Sequence, residues 1–150
     1  MKARRGGFVL IAMSITMLLL LAVMGLAFDL GRVYIAHNEA QVFTDAAAMT
    51  AASRLDGSAA GIGKARNAVA GLPMRWNFGT REFSGVVIEF SPDGVRWERN
   101  PTVAASVAMV RVTAPANDLE ITFLRAVGGP SVFTIPAHAV AAVNPVRLTE

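Results

Sequence analysis

The chain has 150 residues, fits a single domain of the usual about 100–200 residues, and carries 14 Lys and Arg against 11 Asp and Glu, a formal charge of +3. It contains no cysteine, which excludes a disulfide scaffold, a thiolate metal centre and a cysteine nucleophile. Twelve of the bases are arginines, spaced singly through most of the chain rather than gathered on one face, a pattern that argues against nucleic acid as a partner.

The hydrophobic fraction of 53% is high for a soluble domain, and the excess sits near the start. Residues 8–28, FVLIAMSITMLLLLAVMGLAF, carry no charge. As a helix this run spans about 30 Å, the hydrocarbon thickness of a bilayer. Ahead of it residues 1–7 hold Lys2, Arg4 and Arg5, and the first charge behind it is Asp29. The positive-inside bias therefore predicts a cytoplasmic N-terminus, a membrane helix over 8–28 and an outer part from residue 29 onward. A cleaved signal peptide is the rival, since Gly25-Leu26-Ala27 has the small residues of a cleavage site. The apolar run exceeds the usual 7–15-residue core of such a peptide, which favours retention.

The helical pattern does not stop at the lipid boundary. DLGRVYIAHNEAQVFTDAAAMTAASRLDG has no proline and is rich in alanine, so one helix is predicted from residue 8 to a stop at Asp56-Gly57. Leu26, Leu30, Val33/Tyr34, His37, Ala40/Gln41, Thr44, Ala47/Ala48, Ala51 and Leu55 recur at helical spacing and are expected to form the packing stripe. Its alanine-rich outer part, too slight to bury much area alone, is suited to close packing by a sheet or a second helix. Asp29 and Arg32 are helical neighbours. They pair with each other at the lipid boundary, or Asp29 meets a cation of a neighbouring helix. Tyr34 is expected to be an aromatic anchor, and Ala27 with Gly31 forms a small-xxx-small pair that permits close helix approach.

Residues 58–72 predict a short helix capped by Ser58 and ended before Pro73, with Ile62, Ala65/Arg66, Val69 and Leu72 on one face. Beyond Pro73 the period becomes two. Val86, Ile88 and Phe90 share one face of a strand, SPDG makes a turn, and Val95 with Trp97 returns as the second strand of a hairpin. Further strands are expected over 106–114 and 131–143, the last an edge or bulged strand because Pro136 has no N–H for a ladder. Between them DLEITFLRAVGG predicts a short helix capped by Asp118 and ended by Gly128-Gly129. The fold expected is α+β and pilin-like: a long N-terminal helix packed on a small antiparallel sheet, with residues 57–150 as the outer domain.

No constellation for catalysis stands out. His37 and His138 are a hundred residues apart, GIGKAR at 61–66 lacks the strand and glycine spacing of a phosphate loop, and Glu89 with Glu98 is an ordinary pair of strand-surface carboxylates. An enzyme is not expected, nor a cofactor or metal.

The stretch RRGGFVLIA…AFDLGRVYIAHNEAQVFTDAAAMTAA resembles the N-terminal module of the TadE/TadG-like proteins of Tad (Flp) pilus assembly. The positions that carry the resemblance are Arg5, Gly6, Asp29, Gly31, Arg32, Tyr34, Gln41, Asp45 and Ala46, Ala47 and Ala48, and the ending VFTIPAHAVAAV is similar to the family's closing strand. The resemblance implies a single-pass protein of the bacterial inner membrane without a catalytic centre, a structural or assembly component of an adhesive pilus. Its implied partners are membrane lipid, other pilus subunits and further copies of itself in an oligomer or filament, with Ala27, Asp29, Gly31, Arg32, Tyr34, Gln41 and Asp45 as the helix-packing set. It also implies processing after Gly7 by a prepilin peptidase, although Ala12 stands where prepilins carry Glu. In size the chain is closer to the pseudopilin-like members than to the longer TadG ones. A membrane-anchored binding or adhesion module is the alternative, with Trp76, Phe78 and Trp97 as its contacts.

Overall fold

A computed structural model of the chain describes residues 6–143, and Lys2, Arg4 and Arg5 lie outside them. The architecture is α+β and pilin-like. A 47-residue helix, α1 (Gly6–Ala52), runs unbroken through the apolar run and the alanine-rich stretch, and its length is roughly 70 Å. A second helix, α2 (Ala59–Ala70), follows. Then come a two-residue pair, β1 (Arg75–Trp76) and β2 (Arg81–Glu82), and a sheet of β3 (Val87–Ser91), β4 (Met109–Glu120) and β5 (Val132–Ala142) in the order β3-β4-β5, all antiparallel. A single helical turn, α3 (Phe123–Ala126), links β4 to β5.

The outer half of α1 lies across β4 and β5. The stripe it buries is made of small residues: Ala36, Ala40, Ala47, Ala48, Ala51 and Ala52, with Phe43 and Thr44. Small side chains let the helix axis approach the sheet closely, as the composition predicts, and Val110, Val112, Leu119, Ile135 and Ala137 close the core from the other side. The predicted stripe holds from Ala40 outward but has the wrong phase before it. Leu26, Leu30, Tyr34 and His37 are exposed, whereas Gly25, Asp29 and Ala36 are buried. Where a helix is apolar all round, periodicity has no contrast from which to read a face.

Helix α2 begins as predicted. The Ser58 hydroxyl accepts from the Gly61 amide at 3.0 Å, and Gly61, Ile62, Ala65 and Val69 are its buried face. The Asp56 carboxylate braces this cap, accepting from the Ser58 hydroxyl and amide and from Lys64 Nζ at 3.3 Å. A Cβ at Gly61 would collide with that carboxylate, which is why glycine stands in the first turn.

The hairpin predicted after β3 does not form. The Ser91 hydroxyl accepts from Gly94 N–H, and the Asp93 carboxylate accepts from Val95 and Arg96 N–H, so the side chains curl the backbone away. A single bridge between Phe90 and Glu98 is left of the return strand on one edge of β3, while β4 pairs along the other edge. The last strand behaves as Pro136 requires. β5 is an edge strand, and its register against β4 passes from Ala114↔Ala137 to Asn117↔Ile135, a bulge that falls at Pro136. The helix predicted between β4 and β5 is real but starts later, because residues 118–120 extend β4 and pair with β5. Asp118 does not cap it; its carboxylate accepts from the Thr134 hydroxyl across the strand pair.

Two measurements test this packing. Ala47 is fully buried under the sheet, so Ala47→Leu should destabilise the domain by about 1–3 kcal/mol through overpacking, read as a lower thermal midpoint in detergent. The hydrogen bonds from Ser58 and Lys64 hold the Asp56 pKa at about 2, below its ordinary 3.8. Because the folded value is the lower, the bracing is complete above pH 3.8 and is lost as the pH falls through about 2. Hydrogen-exchange protection of α2 should be flat above that window and fall within it, and Asp56→Asn should abolish the dependence.

Candidate assembly surface

Helix α1 presents two faces, and the residues singled out from sequence divide between them. The inner face docks the chain's own domain. Asp29, 1% exposed, is the first charged residue after the apolar run. Its carboxylate accepts from three consecutive backbone amides at the start of α3: Thr122 at 3.3 Å, Phe123 at 2.7 Å and Leu124 at 2.7 Å. These are the amides a helix start leaves without an internal partner, and an anion there is favoured by the aligned peptide dipoles. Within the chain the hydrogen-bond partners of Asp29 are therefore the amides at the start of α3, with the Arg32 charge acting on the same carboxylate. The Arg32 guanidinium reaches past it to the Glu120 carbonyl at 3.2 Å.

Room for this docking comes from Gly25, one turn before Asp29. A Cβ on Gly25 would lie 2.7 Å from the Cβ and Cγ of Phe123. The Phe123 ring meets Phe28 edge to face, with centroids 5.7 Å apart. Further out, Gln41 donates to Asp45 at 2.9 Å and approaches the His138 carbonyl at 3.4 Å, tying α1 to the edge of β5.

A second carboxylate repeats the device. Glu39 accepts from the amides of Asn77 and Phe78, at 2.5 and 3.1 Å. Both residues have positive φ, 52° and 59°, as they turn the chain from β1 into β2. A bulky residue is uncommon in that region, and the carboxylate that gathers the two amides holds it there. The turn is also pinned from below by a stack of Phe43 on Phe83 and of Phe83 on Trp76, with centroids 5.0 and 5.7 Å apart. Neither Glu39 nor Gly25 is marked by its neighbours in sequence; the only local hint is a glycine one turn before a lone acid.

The outer face carries Ala27, Gly31, Tyr34, Val42, Asp45 and Met49, at spacings of three, four or eight residues, so that they lie on one side of the rod. All are exposed, Tyr34 by 69%, Val42 by 68% and Met49 by 63%. A Cβ at Gly31 would meet nothing within 4 Å. The fold thus holds Asp29, Arg32 and Gln41 by bonds to the chain's own domain, with the exposed Asp45 bonded to Gln41, and leaves Ala27, Gly31 and Tyr34 exposed on the other side. Gly7 stands at the start of α1 in open space.

The proposed binding contacts fare differently. Trp76 is buried, Trp97 is half-buried under the Arg111 guanidinium at 4.4 Å, and Phe78 is exposed. Glu89 is taken by Arg111 at 2.7 Å, which makes it a cross-strand ion pair rather than a catalytic carboxylate. Among the described residues no group of three or more His, Asp or Glu is placed to hold a metal ion.

Residues 7–54 match the family described as putative Flp pilus-assembly TadE/G-like. The matched span is α1 almost residue for residue, so the family signature lies in the helix and its two faces rather than in the sheet. No curated protein and no solved structure matches the chain.

The docking of α3 can be tested by removing its anion. Asp29→Ala leaves three amides without their acceptor and should cost about 2–5 kcal/mol. Hydrogen exchange at 122–126 should accelerate well beyond that in β4. Asp29→Asn, which keeps the shape and one acceptor, should lose less. Unchanged protection at 122–126 in Asp29→Ala would mean that the carboxylate does not hold the turn.

Proposed function

We propose that this chain is a non-catalytic, membrane-anchored pilin-like subunit of a Tad/Flp-type pilus that acts by helix–helix assembly, a reading supported by the TadE/G-like match of residues 7–54. Its helix is long and apolar enough to cross a membrane. In the proposed topology residues 1–7 are cytoplasmic, 8–28 span the inner membrane, 29–56 lie outside and continue the same helix as far as Ala52, and the domain from residue 57 lies outside as well. Gly7 is the proposed processing position, and cleavage after it would remove only the first two residues of α1.

The observation that carries this reading is the division of α1 into an occupied and an unoccupied side. The domain needs only the inner face. The outer face presents small residues at the level of Ala27 and Gly31, where a second helix can come close, and larger apolar ones at Tyr34, Val42 and Met49. Its partners are other pilus subunits or further copies of the same chain, packed side by side.

Gly31 allows the test to be made without disturbing the monomer, since a side chain there meets nothing in its own chain. Gly31→Leu should leave the domain at least as stable as the parent, by up to about 1 kcal/mol from helix propensity, and reduce pilus assembly on cells several-fold. Because the chain has no cysteine, Ala27→Cys and Gly31→Cys should cross-link between chains in intact membranes, and the buried Ala36→Cys should not. Normal assembly by Gly31→Leu together with no cross-link at 27 or 31 would refute a helix-packing subunit.

A further inference from the structure

The turn around α3 lies at a depth that its place in the sequence conceals. It is docked on Gly25, Phe28 and Asp29 of α1, and two of these belong to the uncharged run. On the proposed span of residues 8–28, on which this inference rests, α3 therefore stands beside the last turn of the membrane helix rather than above it. The side chains it turns outward are apolar: Phe123 is 46% exposed, Val127 65% and Val132 39%, next to Phe28 at 56%. Arg125 is exposed on the same turn.

The backbone is equally suited to a poorly hydrated place. Asp29 takes the amides of Thr122, Phe123 and Leu124. At the other end Val127 and Gly129 N–H donate to the Leu124 carbonyl, and Gly128 N–H to that of Arg125, with Gly128 at a φ of +87°. A loop whose N–H and C=O groups are paired internally can enter the bilayer interface at little cost, where an ordinary loop cannot.

The geometry points to α3 and its flanks, residues 122–132, as a foot that rests in the phospholipid headgroup layer of the outer leaflet. Phe28, Phe123 and Val127 enter the acyl boundary, and Arg125 and Arg32 meet lipid phosphates. The partner is the surface of the membrane that α1 crosses. Burying a few such side chains is a modest contribution taken alone, but they are already held at that depth by the helix, so no separate anchoring entropy opposes them. The foot fixes the depth and the rotation of the sheet domain over the membrane.

The absence of cysteine makes the test direct. Single nitroxide labels are placed in the full chain at Val127→Cys, Val132→Cys, Leu20→Cys and Val95→Cys. The protein is reconstituted at one chain per nanodisc of phosphatidylethanolamine and phosphatidylglycerol, and collision with oxygen is compared with collision with a water-soluble nickel chelate. The expected result is a lipid-like ratio at 20, a water-like ratio at 95, and at 127 and 132 a ratio several-fold above that at 95, corresponding to a position just below the phosphates. If 127 and 132 match 95 while 20 remains in lipid, the foot is refuted and the span survives. A water-like ratio at 20 refutes the span and the foot with it. Shielding at 127 that arises only with two or more chains per disc shows that protein covers the turn, and overturns the lipid assignment.

Discussion

A single rod can hold a small sheet only if something prevents it from sliding or rolling, and in this molecule that is the pairing of helix carboxylates with backbone amides. The six buried alanines of α1 contribute about 0.8 kcal/mol for each buried methyl, roughly 5 kcal/mol together. That is useful but undirected, because one alanine fits the sheet much as the next one does. The five amide bonds to Asp29 and Glu39 are individually stronger, about 1.5–3 kcal/mol each, and each is satisfied at one rotation and one height only. Alanines bring the surfaces together, and the carboxylates with the Phe43–Phe83–Trp76 stack choose the register.

The same arrangement releases the rest of the helix. Because the inner stripe is built mainly from Gly, Ala and two acids, few large apolar side chains before Phe43 are used by the fold, Val33 against the core and Phe28 against Phe123 among them. The bulky residues of the first half, and Tyr34, Val42 and Met49 beyond it, remain exposed. Asp29 is the point at which the two uses of the rod meet: with Gly25 it marks the lower limit of the domain, and it is also the first charge after the apolar run. A TadE/G-like match confined to residues 7–54 is consistent with a module whose defining surface is this helix.

What sequence could show here depended on range. The rod, the Ser58 cap, the glycine stop of α3 and the edge position of a strand with Pro136 all follow from residues within a few positions of one another, and each was legible. The partners of Asp29 lie 93 to 95 residues away, and no local pattern carries them. Asp118 was the natural cap by spacing, but its segment gains more as strand, paired with Phe133 and Thr134, than as a first helical turn. The hairpin after β3 failed because Ser91 and Asp93 satisfy the turn amides with side chains, so the Val95 and Arg96 N–H groups are taken by Asp93 rather than by a ladder. The phase error in the α1 stripe has a different origin. Large apolar residues were assumed to face the core, whereas before Phe43 most of them are exposed and the buried positions are Gly25, Asp29, Ala36 and Ala40.

The unbroken helix has a mechanical consequence in the proposed topology. Between Asp29 and Ala52 there is no proline, and the one glycine, Gly31, faces open space rather than the domain, so height and rotation at the lipid boundary are transmitted along the rod to the sheet. One residue of helix advances about 1.5 Å and turns about 100°. Inserting or deleting a residue between Asp29 and Glu39 would therefore move one carboxylate off its amides while the other stayed in place. The two clamps are ten residues apart, close to three turns, which is why both fall on the inner face. A domain held at those two points cannot swing about the helix, and every copy then presents the same outer stripe in the same orientation relative to the membrane. For subunits that assemble by packing helices side by side, that uniformity is what turns a pairwise contact into a repeating one.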